Sequence, residues 1–140
     1  MIRCAPAVSP PSLMNREFVM VALVALGGAL GSVARYLVAS AIQRFVAPVF
    51  PYGTFTVNIG GCFVAGALIA RFEMHGLESP AARAFVFVGV LGGFTTFSAL
   101  AADTFALARG SAPILAAINS AGQLVTGLIA LWVGYFVASV

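Results

Sequence analysis

Glycines and hydroxyl residues, which are unusual within an apolar run, lie together in one segment of the chain. This segment, residues 89–98, reads GVLGGFTTFS. Its three glycines, two threonines and one serine stand inside an apolar run where Leu, Ile or Val would be usual. Glycine weakens a helix by about 1 kcal/mol relative to alanine, and hydroxyl groups can bond backbone groups that lose their helical partners. Non-helical backbone at membrane depth is tolerated only where protein or a polar cavity covers it. We therefore expect a helix break here, at a place where an ion or a small solute is handled.

Amide side chains provide further hydrogen-bond donors within the apolar runs. Asn58 lies near the middle of a short run, and Asn119 and Gln123 stand one helical turn apart in the last run. Each amide offers two N–H donors and one carbonyl acceptor. Polar groups inside a membrane are costly and usually functional, but amides also join helices to one another. Both interpretations, the lining of an ion path and a link between helices, are open for these three residues.

Charged side chains are few in the apolar runs. Arg35 is predicted to close the first helix, where an arginine can simply extend its guanidinium to the membrane surface. Asp103 lies about two turns after the glycine-rich segment, near a helix core or at the water boundary. The chemistry on offer is therefore hydrogen-bond donation together with the positive edges of phenylalanine rings. Such a lining suits a small anion.

Several classes of protein lack their required residues in this chain. The sequence has no Ser-His-Asp set, phosphate-binding loop or metal-ligand spacing, so we predict that the protein is not an enzyme. The first two apolar runs contain no carboxylate, whereas a proton-coupled multidrug exporter needs a central acid. His75, beside Glu73 and Glu78, is interpreted as part of a solvated loop. The net charge is +3, but the arginines are dispersed, which argues against nucleic acid as a partner.

Composition places these residues in a membrane protein. Of the 140 residues, 61% are hydrophobic and 8% are charged, whereas a soluble domain carries about a quarter charged residues. The four apolar runs are Phe18–Ala41, Phe55–Ala70, Ala84–Ala108 and Ala112–Val140. Since a helix needs about 20 residues to cross the hydrocarbon layer, we predict an all-α membrane protein with four transmembrane helices, the third broken mid-membrane. We predict that residues 17–140 form one four-helix transmembrane channel domain and that residues 1–16 form a disordered tail. Met14 is an alternative start of translation.

Helix surfaces and charge placement together predict a dimer. Small residues that permit close backbone approach recur at four-residue spacing: Gly27 and Gly31; Cys62 and Gly66; and Gly122, Thr126, Ala130, Gly134 and Ala138. The seven basic residues are all arginines and divide almost evenly between the two sides of the membrane, with Arg3, Arg16, Arg71 and Arg83 on one and Arg35, Arg44 and Arg109 on the other. Because arginine and lysine bias sets orientation, we expect insertion both ways round.

Three motifs, taken in order, resemble those of the Fluc (CrcB) family of fluoride channels. They are GGALGSVARY at residues 27–36, GTFTVNIGG at residues 53–61 and GGFTTFS at residues 92–98. The resemblance extends over nearly all of the chain after the tail. It implies an antiparallel, dual-topology dimer in the cell membrane (inner or plasma membrane) that exports toxic fluoride passively. The implied partners are fluoride, membrane lipid and a second copy of the chain or a paralogous subunit.

The resemblance also implies roles for particular residues. Backbone carbonyls of Gly92 and Thr95 would hold a structural sodium ion at the centre of the dimer. The implied vestibule residue is Arg35, which would raise the local concentration of anions. The implied pore or anion-binding residues are Asn58, Thr96, Phe97, Ser98 and Gln123.

Three positions depart from the family pattern. Leu100 stands where a second pore phenylalanine is expected, Ala99 replaces a hydroxyl residue, and Gln123 takes the place of a serine. Some family members work as unlike-subunit pairs in which each chain has lost part of the pore set. A non-conducting subunit of a two-chain fluoride channel is therefore one alternative, and a small multidrug-type exporter is another.

Overall fold

Four helical spans make up the described structure. The computed structural model describes residues 13–46, 49–76 and 79–140, and the regular elements within them are all helical. They are α1 (Leu13–Phe45), α2 (Tyr52–His75), α3 (Pro80–Arg83), a π-helical segment (Ala84–Leu91), α4 (Gly92–Phe94), α5 (Phe97–Arg109) and α6 (Pro113–Ala138). The elements from α3 to α5 form the third span, Pro80–Arg109. Each span is long and apolar enough to cross a membrane, which confirms the predicted all-α, four-helix membrane architecture.

The ends of the helices differ from the predicted ends. α1 begins at Leu13, inside the segment assigned to the tail, and continues to Phe45. α2 continues to His75, so Glu73 and His75 are helical and the loop predicted for them is wrong. Residues 1–12 and Glu78 lie outside the described residues. Hydropathy marks such ends poorly because charged side chains near a membrane surface reach water without ending the helix.

Local sequence accounts for where several helices begin and end. The Ser79 hydroxyl oxygen accepts a hydrogen bond from the Ala82 N–H at 3.1 Å, and Pro80 occupies the first position of α3. α2 is followed by Gly76 at a φ of 61°, the left-handed conformation that glycine adopts without steric cost. α6 begins with a proline, Pro113, where no intrahelical N–H bond is lost.

Close backbone contact joins the helices in two pairs. α2 packs chiefly against α6, and α1 packs chiefly against the first half of the third span. A Cβ on Gly134 of α6 would overlap the Phe63 carbonyl oxygen of α2, and one on Gly31 of α1 would overlap the Val90 carbonyl oxygen. Only glycine permits these approaches. Small residues at helix contacts of this kind replace the hydrophobic driving force that lipid cannot provide.

The buried face of α6 differs in part from the predicted ridge. Of the predicted ridge, Gly134 and Ala138 are buried, Gly122 and Ala130 are half-buried, and Thr126 is exposed on the single chain. The buried face also passes through Asn119, Gln123 and Gly127, which lie outside that ridge. Because the two amides find hydrogen-bond partners on other helices, they turn this face of α6 inward at the expense of the small-residue spacing.

Candidate functional site

The candidate site is centred on two extended residues in the third span. α4 ends at Phe94 and α5 begins at Phe97, and between them Thr95 (φ −87°, ψ 157°) and Thr96 (φ −154°, ψ 118°) are both extended. The Thr95 hydroxyl donates to the Leu91 carbonyl at 2.9 Å, which anchors the segment to the helical turn before it. Thr96 caps α5, because its hydroxyl oxygen accepts from the Ala99 N–H at 3.2 Å.

Asn58 of α2 bonds both backbone groups of Thr96. The Thr96 N–H donates to Asn58 Oδ1 at 2.8 Å, and Asn58 Nδ2 donates to the Thr96 carbonyl at 3.1 Å. One amide side chain therefore satisfies the N–H and the C=O that this residue would otherwise offer to a helix. An unpaired backbone group in an apolar interior costs several kcal/mol, so Asn58 stabilises the extended conformation directly.

The same amide begins a longer hydrogen-bonded network. Asn58 Nδ2 also donates to Gln123 Oε1 at 2.7 Å, and Gln123 Nε2 donates to Asn119 Oδ1 at 2.8 Å. Asn119 Nδ2 then donates to Thr104 Oγ1 at 2.9 Å. At the other end, the hydroxyls of Thr96 and Ser98 share a hydrogen bond of 3.0 Å. We call these six residues the amide network; it connects α2, α5 and α6 through polar groups alone.

The backbone carbonyls beside the extended residues lose their ordinary partners. In an α-helix the Thr96 N–H would donate to the Gly92 carbonyl, and the Ala99 N–H to the Thr95 carbonyl. Here these N–H groups donate to Asn58 and to the Thr96 hydroxyl instead. Gly92 is also exposed on the surface of the single chain. The Gly93 and Phe94 carbonyls lose their helical partners in the same way, because Phe97 and Ser98 begin a new helix. The carbonyls of Gly92 and Thr95, which are expected to bind sodium, are thus two of the four that the extended segment releases.

The network borders a groove on the surface of the single chain. The groove has a volume of about 710 Å³ and is lined by Asn58, Thr96, Phe97, Leu100, Gln123 and Leu124, among others. The Phe97 ring is 82% exposed, and Ser98 is exposed beside it. Gln123 is only 6% exposed and Asn119 is fully buried. The groove therefore has a buried polar wall and an open apolar side.

Comparison with known proteins identifies the family. The sequence model described as CrcB-like protein, Camphor Resistance (CrcB), matches residues 22–135. The chain belongs to the CrcB family. Among its relatives, a protein of Methylobacillus flagellatus is 43% identical over 116 residues, covering 82% of this chain and 91% of the relative. A protein of Desulforapulum autotrophicum is 44% identical over 121 residues (86% and 94%), and one of Thermus thermophilus is 45% identical over 113 residues (81% and 90%). Each of the three is named a fluoride-specific ion channel FluC.

The structure of this CrcB chain brings most of the predicted site residues together, with one exception. Asn58, Thr96 and Gln123 are in direct contact, with Ser98 and Phe97 adjoining them. Arg35 stands apart: it is half-buried in α1, which continues well past it, so its predicted place at the helix end is wrong. It forms no hydrogen bond or ion pair with the described residues, and is one turn beyond Gly31, on the side that faces the third span.

Sequence reasoning did not place Thr104 in the site of the CrcB chain, and it left Asn119 undecided. The spacing of Asn119 one turn before Gln123 was the available signal, whereas nothing in the sequence marked Thr104. Asp103, its neighbour, lines a second cavity of about 580 Å³ together with Ser40, Gln43 and Thr54. Its buried Oδ2 has no hydrogen-bond partner among the described residues.

Proposed function

We propose that the chain is a fluoride-selective channel that exports toxic fluoride passively across the cell membrane. Its relatives are named fluoride-specific ion channels, and this agrees with the prediction that it is not an enzyme. The observation that carries the proposal is the contact of Asn58 with Thr96 and Gln123, which builds a hydrogen-bonded polar wall along an otherwise apolar groove. A small, strongly hydrated anion needs closely spaced polar groups to replace its water, and this wall supplies them on one side of the groove. Neither alternative, a non-conducting subunit or a multidrug-type exporter, is favoured.

The open side of the groove supports an antiparallel homodimer. A single copy would leave Phe97 and Ser98 facing lipid, where no ion could pass. A second copy laid over the groove would close it, and insertion both ways round agrees with the even arginine distribution. We propose that this dimer, surrounded by lipid, is the functional unit and that the extended segment lies at membrane depth. A paralogous subunit is the competing partner.

The released carbonyls support a sodium ion at the dimer centre. Carbonyl oxygens are hard ligands of the kind that alkali and alkaline-earth cations take. We propose that Gly92 and Thr95 of each copy supply these oxygens. When bound, the ion supplies a fixed positive charge, which partners the free carbonyls and favours anions nearby.

The fluoride pathway is proposed to follow the polar wall of the groove. Arg35 raises the anion concentration in the vestibule, and fluoride then passes Asn58, Thr96, Ser98 and Gln123 along the ring edge of Phe97, which carries partial positive charge. Leu100 lines the groove where a second ring is expected. It excludes water but offers no polarised edge, so we expect a single aromatic station on each path.

Efflux from liposomes tests the proposed function directly. The chain is purified alone, reconstituted in liposomes loaded with potassium fluoride or potassium chloride, and efflux is followed with ion-selective electrodes after valinomycin is added. Fluoride release without chloride release is the expected result. No fluoride release by the chain alone would contradict the proposal, and recovery with a second chain would identify the two-subunit alternative. Proton-driven movement of organic cations would identify the exporter.

Orientation is tested separately from transport. A tag at the C-terminus of the chain is exposed to a protease from the outer surface of intact cells that express it. Both orientations are expected in near-equal amounts, so about half of the tags should be cleaved. Complete cleavage or complete protection would contradict the dual-topology dimer while leaving the transport result unaffected.

A further inference from the structure

The amide network has a fixed direction. A backbone N–H can only donate, so the bond from the Thr96 N–H orients the Asn58 amide with Oδ1 toward Thr96. The Asn58 nitrogen therefore meets Gln123 Oε1, which turns Gln123 Nε2 toward Asn119 Oδ1. Asn119 Nδ2 is left to donate to Thr104. One backbone group thus sets the orientation of all three side-chain amides.

The amide hydrogens are not used equally. Asn58 Nδ2 donates both of its hydrogens, to the Thr96 carbonyl and to Gln123. Asn119 Nδ2 has two acceptors, Thr104 Oγ1 and, at 3.5 Å, the Leu100 carbonyl. Gln123 Nε2 donates one hydrogen to Asn119, and its second hydrogen has no acceptor among the described residues. The spare amide donor of the network therefore belongs to Gln123.

The position of Gln123 makes this donor suitable for an anion. Gln123 lines the groove together with Thr96 and Phe97, yet it is only 6% exposed. Water screens a donor in such a place weakly, and hydrogen bonds to a charged acceptor are the strong ones. If the network ran in the opposite direction, Oε1 would replace the nitrogen and present lone pairs that repel an anion.

We propose that Gln123 is the amide that donates to fluoride, and that Asn58 and Asn119 are positioning residues that hold the Gln123 nitrogen in place. This inference rests on the proposed function and gives the three amide side chains different roles in it. Asn58 uses its hydrogens to fix the extended segment and the direction of the network. Asn119 accepts from Gln123 and prevents the amide from turning over.

Spectroscopy of the wild-type protein tests this assignment without any substitution. The chain has two glutamines, Gln43 and Gln123, so isotopic nitrogen in glutamine side chains gives two amide signals in a nuclear magnetic resonance spectrum. Fluoride is expected to shift the Gln123 signal, while chloride leaves it unchanged. Gln43 is the internal control, because it bonds the Phe50 carbonyl and the Gly53 N–H at 3.1 Å each, away from the groove. A fluoride shift in labelled Asn58 but not in Gln123 would overturn the proposal.

Substitutions separate the donor from the residues that position it. Gln123→Met keeps the length of the side chain and removes the donor, and should lower fluoride efflux by about 10- to 100-fold, the range for a lost hydrogen bond to a charged group. Asn119→Leu should lower efflux by about tenfold and abolish the fluoride shift of Gln123, since the amide is no longer held. A merely structural role for Asn119 would lower efflux with the shift retained.

A matched control lies on the same helix. Thr126 is exposed on α6 and its hydroxyl bonds only the Gly122 carbonyl of its own helix, so Thr126→Val should leave efflux unchanged. If the wild type conducts fluoride and Gln123→Met conducts equally well, this inference is wrong and the proposed function stands. If the wild type does not conduct, the proposed function itself is wrong. Should Gln123→Met fail to fold, the wild-type titration still decides between Gln123 and Asn58.

Discussion

Substitution of Asn58 by aspartate changes two hydrogen bonds and one charge at the same place. The introduced carboxylate would keep an oxygen for the Thr96 N–H, now 2.8 Å from Oδ1. It would set a second oxygen against the Thr96 carbonyl and Gln123 Oε1, which Nδ2 contacts at 3.1 and 2.7 Å. Both donor bonds become repulsive contacts, and a negative charge replaces a neutral amide on the proposed anion path.

The electrostatic part of this effect is large enough to stop transport. Two like charges about 5 Å apart repel by about 3 kcal/mol at an effective dielectric constant of about 20. Each 1.36 kcal/mol added to a barrier slows passage about tenfold, so fluoride efflux by Asn58→Asp should fall by about 100-fold or more. The two lost hydrogen bonds should in addition lower the free energy of unfolding by about 1 kcal/mol each.

A companion and a control complete the test. Asn58→Leu removes the hydrogen bonds without adding charge, so it should lower the stability of the chain by about 3 kcal/mol for three lost bonds and reduce efflux less than Asn58→Asp does. Asn15→Asp makes the same chemical change at an exposed residue of α1 and should leave efflux unchanged. Wild-type fluoride efflux in Asn58→Asp, measured at equal protein content in liposomes, would refute the reasoning.

Three further perturbations have expected outcomes. Gly134→Ala should lower the free energy of unfolding by about 2 kcal/mol or more, because the added methyl group meets the Phe63 carbonyl oxygen. Gly60→Ala, where a Cβ meets nothing within 4 Å, should be neutral or stabilising; equal losses in the two would contradict the packing. Arg35→Gln should raise the fluoride concentration needed for half-maximal flux at low ionic strength, and the difference should shrink in high salt; no salt dependence would argue against a vestibule role. Replacing sodium by N-methylglucamine during purification should reduce the dimer peak in size-exclusion chromatography, and adding sodium back should restore that peak. An unchanged dimer would argue against a structural ion.

The sequence predicted the number of spans because hydropathy is a sum over about 20 residues and tolerates local errors. It predicted the neighbourhood of the site because glycines and hydroxyl residues stand out in an apolar run. The contact between Asn58 and Gln123 could not be derived in this way, since 65 positions separate them and only the packing of α2 on α6 brings them together.

Other features were missed for identifiable reasons. The four-residue ridge on α6 offered more than one possible buried face, and the partners of Asn119 and Gln123 decided between them. The π-helical segment Ala84–Leu91 has the composition of an ordinary apolar α-helix, so its sequence did not predict the π-helical geometry. Arg35 was placed at a helix end because an arginine there can reach the membrane surface, yet α1 continues to Phe45.

The pairing of Asn58 with Thr96 has a consequence for how the chain tolerates change. An amide that accepts from the N–H and donates to the C=O of one extended residue imitates the bridge that a neighbouring β-strand would supply. The irregular dipeptide and its asparagine therefore stabilise each other, and the extended conformation is less stable when the asparagine is lost. A chain that loses the asparagine should recover its fold most readily by second changes at Thr95 or Thr96 that let the helix run through. Such a revertant would be a folded four-helix protein in which the released backbone carbonyls again accept helical hydrogen bonds. Those carbonyls would then no longer be free to bind an ion.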